Sequence, residues 1–464
     1  MKHPYDFVVI GGGSAGYNAA QVAVGLGKRV AVIDGARKLG GLCILRGCMP
    51  SKTLIYSAEV LHMAQSGPEF GLRVPKASAD MRAVHARKKR IVGGFARYRV
   101  KQLKSADFDL IRGQAHFVDP HTLELGDGRT VEGKHFLIST GSKVSVPPIP
   151  GLADVAYWTS DDVLELDFKP RSVVILGGGI VACELAQFLK RVGTRVCIIQ
   201  RSPNLLRGHS TEAAHEIRRA FEDGGIEVFA HTKIIGVREG RGGISVMFKH
   251  RGKTIRRQAD HLLNALGREP ATSGLSLEAV GIKTADNGRI LTNRWQQTSV
   301  PHIYAAGDCC GPHEIVHVAI QQGELAARHA ARLKGLTPID PSLLLCVVFT
   351  DPQLGSIGWS EKDLIEKGVA YSTASYPFYD HGRSILMDAD YGYVRVFADR
   401  KKGRILGAEI VGKDAGELIH CFSAALAMRA TVHDMLRAPW YHPTLAEVIT
   451  YPLEQLAGKT HEHQ

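Results

Sequence analysis

Two stretches of the 464-residue chain carry the same punctuation, and together they restrict the fold more than any other feature. YDFVVI at residues 5 to 10 reads as a buried strand and runs directly into GGGSAG, which sets Gly11, Gly13 and Gly16 in G-x-G-x-x-G spacing. YNAAQVAVGLG then reads as a helix, and RVAVID as a second strand ending at Asp34, 18 residues past Gly16. A glycine turn of this kind lets the backbone approach a pyrophosphate and seats it on the next helix N-terminus, while an acid ending the second strand suits ribose hydroxyls. Alone, the glycine spacing is a weak signal. Its repetition strengthens it: RSVVIL leads to Gly177, Gly179 and Ala182, then ELAQFLKRVG and TRVCIIQ, ending at Gln200, with the whole unit displaced by 166 residues. An internal repeat at that offset predicts an α/β chain with two Rossmann-like dinucleotide-binding domains.

The length exceeds one ordinary core and suggests two to four domains. At 44% hydrophobic and 22% charged residues the composition is that of a soluble globular protein. No run of about 18 or more apolar residues is present, and the start goes straight into a strand and glycine turn. No membrane partner is expected, and a cytoplasmic location is the default. Eight cysteines without small-domain spacing do not resemble a secreted disulfide framework. The net charge of +12 raises nucleic acid as a partner, but no motif supports it. The densest basic run, His85 to Lys104, has apolar residues at helical spacing, so most of its charge is expected on a solvated helix face. No metal site is expected.

The chemistry concentrates in residues 40 to 52, GGLCILRGCMPSK, where Cys43 and Cys48 lie five positions apart and Lys52 closes the segment. In a regular helix the two side chains would diverge by about 140°, too far for a disulfide that needs Cα atoms within roughly 7 Å. The backbone must bend there, which Gly40, Gly41 and Gly47 permit. If SKTLIYSAEVLHMA starts a helix, Cys48 lies just ahead of its N-terminus, where the helix dipole and Lys52 favour a thiolate. The competing reading is two buried cysteines packing as small hydrophobes.

Further motifs follow. Thr140-Gly141-Ser142 precedes the proline-rich VPPIPG, and Asn264-Ala265-Leu266-Gly267-Arg268 closes the second repeat. HIYAAGDC places Asp308 after a short apolar strand, with the adjacent thiols Cys309 and Cys310 read as structural, ahead of a helix from His317. From about 340 onward strands and a helix-like GELIHCFSAALAMRA replace the glycine turns, ending in WYHPTLAEV with His442 and Glu447. By itself a His five residues before a Glu is unremarkable.

These motifs, in this order from Tyr5 to about Leu456, resemble the class I pyridine nucleotide-disulfide oxidoreductases, the family of lipoamide dehydrogenase, glutathione reductase and mercuric reductase. That family commonly reads C-V-N-V-G-C where this chain has Ile44, Leu45 and Arg46; the departures leave both cysteines, Gly47, Pro50, Ser51 and Lys52 in place, and so bear on substrate rather than chemistry. The resemblance implies an FAD-binding domain in two parts, residues 1–149 and 270–339, an NAD(P)-binding domain at 150–269, and an α+β dimerisation domain at 340–464. It assigns FAD to Gly11, Gly13, Gly16, Asp34, Gly41, Lys52, Thr140, Gly141 and Asp308. The nicotinamide coenzyme falls to Gly177, Gly179, Ala182, Gln200, Arg201, Arg207 and Gly267. Catalysis falls to Cys48 as the thiolate beside the flavin, Cys43 as the thiol that exchanges with substrate, a Lys52–Glu184 pair near the flavin, and a His442–Glu447 couple from the other subunit of a homodimer.

The implied activity is FAD-dependent NAD(P)H:disulfide oxidoreduction. Ile180, standing where glutathione reductases keep a tyrosine, and the retained His442-Pro443-Thr444 favour a dihydrolipoamide dehydrogenase-like enzyme. Its substrate would be a small-molecule or protein-bound disulfide, a lipoyl domain among the candidates. A glutathione-type reductase is the alternative. A mercuric reductase ranks lower, because neither an N-terminal metal-binding domain nor a cysteine pair near the end is present. A diaphorase or transhydrogenase with spectator cysteines is the rival of another class. NADPH is expected over NADH, since Gln200 replaces the ribose-binding acid, and Arg201 and Arg207 suit a 2′-phosphate.

Overall fold

The computed structural model describes residues 4–461. The duplication in the sequence is a duplication of sheets. In the first, the buried strand Phe7–Ile10 lies between Val30–Asp34 and Phe136–Ile138, flanked in turn by Asp109–Arg112 and Ile303–Ala305, with every pairing parallel. In the second, Ser172–Leu176 lies between Arg195–Ile199 and His261–Asn264, with Glu227–Phe229 outermost, again all parallel. Four strands of each sheet therefore follow one order, and Ile303–Ala305 is the extra strand that the returning chain adds to the first. Near-continuous apolar runs such as FVVI and SVVIL suit strands covered on both faces. Each sheet carries an antiparallel three-stranded appendage, at residues 115–132 and 233–259.

The two glycine turns are superposable in their physics. Gly11 has φ +103°, and a Cβ there would sit 2.5 Å from the Ser139 carbonyl oxygen; Gly177 has φ +111°, with the Ala265 carbonyl oxygen 2.3 Å away. Both the dihedral and the approach of the neighbouring strand exclude a side chain. The chain leaves the first unit along Ser142–Val144 and returns along Arg268–Pro270, and these two segments pair antiparallel. Arg268 fastens the crossing, donating from Nε to the Ser142 hydroxyl and from Nη2 to the Ser142 carbonyl, both at 2.8 Å.

The remaining unit is α+β. Its antiparallel sheet runs Leu345–Val348, Gln353–Gly358, Ile405–Gly412, Tyr393–Asp399, Tyr371–Pro377, and packs Val394, Val396 and Ile410 against Phe422 and Leu453 from the covering helices. The segment GELIHCFSAALAMRA is two helices, Ala415–Leu418 and Cys421–Ala427, not one. Between them the backbone bonds tighten to three-residue steps, with the Phe422 N–H on the Ile419 carbonyl at 3.1 Å and the Ser423 N–H on that of His420 at 3.0 Å.

The basic run lies in one helix, Met81–Ser105, capped by the Asp80 carboxylate, which accepts from the N–H groups of Arg82 and Ala83. One of its charges departs from the solvated face: Lys88 is 2% exposed, with its ammonium 2.7 Å from a Glu165 carboxylate oxygen. Among the described residues no helix is long and apolar enough to cross a membrane.

The helices Ser14–Gly25 and Val316–Ala330 cross closely because Gly323 faces Ala15: a Cβ on Gly323 would come within 2.4 Å of the Ala15 carbonyl oxygen. Gly323→Ala should lower the thermal unfolding midpoint, as overpacking by one methyl typically costs about 1–3 kcal/mol. Gly25→Ala, at a helical position with open space around it, should leave the midpoint unchanged or raise it. Equal midpoints for the two variants would refute this account of the crossing.

Candidate active site

The cysteine segment folds as a helix, Gly41–Arg46, a break at Gly47, and a second helix, Cys48–Gln65. Cys48 is thus the first residue of the long helix rather than a residue ahead of it, because helical geometry resumes immediately after Gly47. A Cβ on Gly47 would stand 3.1 Å from the Leu42 carbonyl oxygen and 3.2 Å from the Cys43 Cα. A side chain there would press on the backbone of the first helix, so glycine lets the two helices meet closely. The segment also rests on the first glycine turn: Gly41 has φ +76°, and a Cβ there would lie 2.8 Å from the Gly13 Cα.

The bend brings the two half-buried thiols into contact. The Cys43 thiol donates a hydrogen bond to the Cys48 sulfur, and this bond, seconded by the Lys52 ammonium and opposed by burial, pushes the Cys48 pKa down to about 7. The same bond and burial push the Cys43 thiol up. Lys52, one turn along the helix, reaches the Glu184 carboxylate with Nζ–O distances of 2.8 and 3.1 Å. Glu184 is 3% exposed, in the second turn of the helix Ile180–Arg191, so it is no surface acid. Its Oε1 also accepts the Phe349 N–H at 3.0 Å, and the Phe349 ring lies 4.7 Å from the Lys52 ammonium.

Like the cysteine helix Cys48–Gln65, the helices Ser14–Gly25 after Gly13, Ile180–Arg191 after Gly179, and Val316–Ala330 have N-termini with no side-chain cap and no acid in the first turn. Their free N–H groups suit anionic or electron-rich ligand atoms. Gly16 lies so near the Gly11 carbonyl oxygen that a Cβ would fall within 2.0 Å of it, and the fully buried Ala182 occupies the corresponding place in the second repeat. Asp34 is buried and accepts from the N–H groups of Gly12, at 3.0 Å, and Ala36, at 2.9 Å. Thr140 Oγ1 is buried with no partner among the described residues, next to Gly141, whose φ is +72° and whose flank is open. Asp308 accepts from the Ser142 hydroxyl at 2.6 Å. An orphaned hydroxyl, a glycine cradle and bare helix ends fit a dinucleotide.

At the second repeat, Gln200 folds back on its own loop, its Oε1 accepting the Arg201 N–H at 3.0 Å. Arg201 and Arg207 are exposed, and neither guanidinium has a carboxylate partner among the described residues. Gly267 has φ +121° and open space beside it. In the α+β unit, His442 Nδ1 is 2.9 and 3.0 Å from the two Glu447 carboxylate oxygens. Among the described residues, the side-chain hydrogen bonds and ion pairs of His442 and Glu447 run to each other and to His381, not to either cysteine.

Residues 5–323 match the family described as pyridine nucleotide-disulphide oxidoreductase, and residues 345–452 match that family's dimerisation domain. The chain belongs to the pyridine nucleotide-disulphide oxidoreductase family. A dihydrolipoyl dehydrogenase of Thermus scotoductus is 34% identical to this oxidoreductase over 461 residues, spanning 97% of each chain. A mercuric reductase of Staphylococcus aureus is 32% identical over 444 residues, covering 96% of this chain and 81% of that protein. The crystal structure of LpdA from Mycobacterium tuberculosis superposes with a TM-score of 0.87 at 28% identity, over 97% of this chain and 99% of that one. The oxidoreductase is an FAD-dependent enzyme that also takes a pyridine nucleotide, and it carries the family's dimerisation domain.

Two participants escaped sequence reasoning in this oxidoreductase. Phe349 touches both members of the Lys52–Glu184 pair, yet VVFTDP gives no local sign of it. His381, considered below, lies far from any motif. The vicinal Cys309 and Cys310 are buried free thiols directed at backbone carbonyls, Cys309 at those of Ile138 and Ala306 and Cys310 at that of Gly307.

Alkylation of the reduced oxidoreductase by iodoacetamide should show Cys48 reacting with a midpoint near pH 7, the value set by the Cys43 hydrogen bond and Lys52. Cys43→Ala removes the larger of those contributions, so the Cys48 midpoint should move upward. Peptide mass spectrometry across pH reads both. An unchanged midpoint in Cys43→Ala would show that the thiol–thiol bond does not set Cys48 reactivity.

Proposed function

We propose that this oxidoreductase transfers electrons between NADPH and a disulfide of the dihydrolipoamide type, through FAD and the Cys43–Cys48 pair, as a homodimer. The observation that carries the reading is the conjunction at Cys48: a thiol with a pKa near 7, hydrogen-bonded to its redox partner and one helical turn from the Lys52–Glu184 pair. Cysteines packed as small hydrophobes would have their pKa raised by burial, as that of Cys183 is. The flavin nucleotide would be held by Gly11, Gly13, Gly16, Gly41, Asp34, Thr140, Gly141 and Asp308, with Lys52 toward its ring. The coenzyme would lie on Gly177, Gly179, Ala182 and Gly267. FAD, when bound, supplies a centre that accepts a hydride from the nicotinamide and delivers two electrons to a disulfide.

The protein supplies the thiol chemistry. In the reduced pair the Cys43 proton is held toward Cys48, so Cys43 must lose it before attacking a substrate disulfide. Attack forms the Cys43–substrate bond and breaks the substrate S–S bond, and the leaving thiolate takes up the proton. Cys48 then attacks the Cys43 sulfur, expelling the second substrate thiolate and restoring the Cys43–Cys48 disulfide. His442 is the base that holds the Cys43 proton and the acid that returns it, with Glu447 fixing its Nδ1 side. The His442 side chain is 75% exposed and hydrogen-bonded within its own segment, which supports its delivery to the cysteines of a partner subunit.

The coenzyme preference rests on charge. An acid at the end of the second strand would repel a 2′-phosphate; Gln200 does not, and Arg201 and Arg207 are free to meet it. Turnover with NADPH and NADH should be measured on lipoamide, glutathione disulfide, a quinone and Hg(II), the last because relatives are named mercuric reductase. The reading predicts the highest kcat/KM for NADPH with lipoamide. Retention of all activity by Cys43→Ser on quinone alone would make the enzyme a diaphorase.

Arg201→Ala with Arg207→Ala should raise the KM for NADPH by at least about tenfold, since hydrogen bonds to charged groups contribute about 1.5–3 kcal/mol each. The KM for NADH should change little. Equal effects on both coenzymes, or a wild type that favours NADH, would refute the assignment.

A further inference from the structure

His381 is 1% exposed and sits beneath the His442–Glu447 couple. Its Nδ1 is 2.9 Å from the hydroxyl oxygen of Ser384, itself fully buried. Its Nε2 is 3.9 Å from Glu447 Oε2 and has no hydrogen-bond partner among the described residues. A buried imidazole nitrogen left without a partner and pointed at a carboxylate calls for an account. Donation of the Ser384 hydroxyl to Nδ1 places the imidazole proton on Nε2, facing Glu447. The opposite tautomer would set a nitrogen lone pair against a carboxylate.

We infer that His381 is a positioning residue that holds Glu447 from its buried side, so that the proton-transfer couple is a three-member chain, His381–Glu447–His442. The inference rests on the role proposed above for His442 and adds what tunes it. Glu447 faces one imidazole in solvent and another in the core. Burial keeps His381 below the ordinary imidazole value, which favours the neutral ring as the group that faces Glu447. A carboxylate that shares its charge with a second donor stabilises the His442 imidazolium less than an undivided one would.

The other titratable groups around His381 do not replace it. Tyr451 presents its ring edge to the imidazole at a centroid distance of 6.0 Å and stacks on Tyr376. The Tyr376 hydroxyl is turned to Asp380, 3.1 Å from its carboxylate. Tyr379, Asp380 and Arg383, on the same segment as His381, are exposed. The charges that act on the imidazole are those of Glu447 and His442.

The test is a direct titration of the His442 imidazole by NMR in histidine-labelled holoenzyme, assigned with His442→Ala. His381→Phe keeps a ring and removes the donor, and should raise the His442 pKa by about half a unit or more. His381→Gln retains an N–H donor that cannot ionise and should leave His442 where it is in the wild type. Ser384→Ala, a change of one oxygen, releases the tautomer and should move His442 in the same direction as His381→Phe; it decides the question if the phenylalanine variant does not fold. No shift, a downward shift, or equal shifts in His381→Phe and His381→Gln would overturn the inference. Because titration does not depend on turnover, a His442→Ala enzyme with full disulfide activity would sink the role of His442 while leaving the titration result to stand or fall separately.

Discussion

One carboxylate joins the three parts of this molecule. Glu184 belongs to the helix that opens the second nucleotide unit, yet it binds the Lys52 ammonium from the cysteine helix of the first unit and the Phe349 N–H from the edge of the α+β sheet. Burying that carboxylate without Lys52 would leave an uncompensated charge, and breaking such a pair typically costs about 3–5 kcal/mol. The partly exposed Lys52 brings the figure toward the lower end. Neighbouring contacts run along the same seam. The Gln187 amide bonds the Asp351 backbone in both directions, Arg191 pairs with the Asp351 carboxylate, and Lys413 reaches Glu59 on the cysteine helix at 2.8 Å. The position of the thiols relative to both nucleotide cradles follows from this seam, since Lys52 and Cys48 share one helical turn.

The seam also explains the chemistry's asymmetry. Two thiols of similar intrinsic acidity are differentiated by one hydrogen bond and one ammonium: Cys48 accepts and lies near Lys52, while Cys43 donates and is held in its protonated form. Glu184 opposes the shift at Cys48 by its own charge, so the ion pair tempers the ammonium instead of delivering its full effect. A free Lys52 would lower Cys48 further and make it a poorer nucleophile, because nucleophilicity falls with pKa.

How much of this was legible in the chain depends on how many residue types can meet each physical demand. A left-handed φ under a neighbouring carbonyl admits glycine alone, so Gly11 and Gly177 announced both turns. The bend between Cys43 and Cys48 was readable for the same reason at Gly47, although the helix was expected to begin after Cys48 and in fact begins on it. Lys88 was not readable as buried: an amphipathic basic helix shows which face is apolar, not which lysine meets Glu165 from another segment. Phe349 and His381 are harder still. Each acts through a contact between segments far apart in sequence, and nothing local in VVFTDP or YDHGRS distinguishes them from packing residues.

On the proposed assignment, the two repeats would serve a retained and an exchanging nucleotide with one architecture. In the first, Asp34 closes on the Gly12 amide, the cysteine segment presses Gly41 against Gly13, and the returning strand Ile303–Ala305 extends the sheet. Of these, the cysteine segment and the returning strand come from chain outside the basic βαβ unit. The second repeat has none of them: its sheet stops at His261–Asn264, the Gly179 and Gly267 positions face open space, and the loop after Gln200 leaves its arginines in solvent. A ligand that must stay through many cycles gains from the covered cradle, because release there requires moving packed backbone. A ligand that must leave each cycle is better served by a site whose charge lies on exposed side chains, where attraction is screened and exchange needs no rearrangement of the core. The duplication therefore preserves the turn and differs in what covers it.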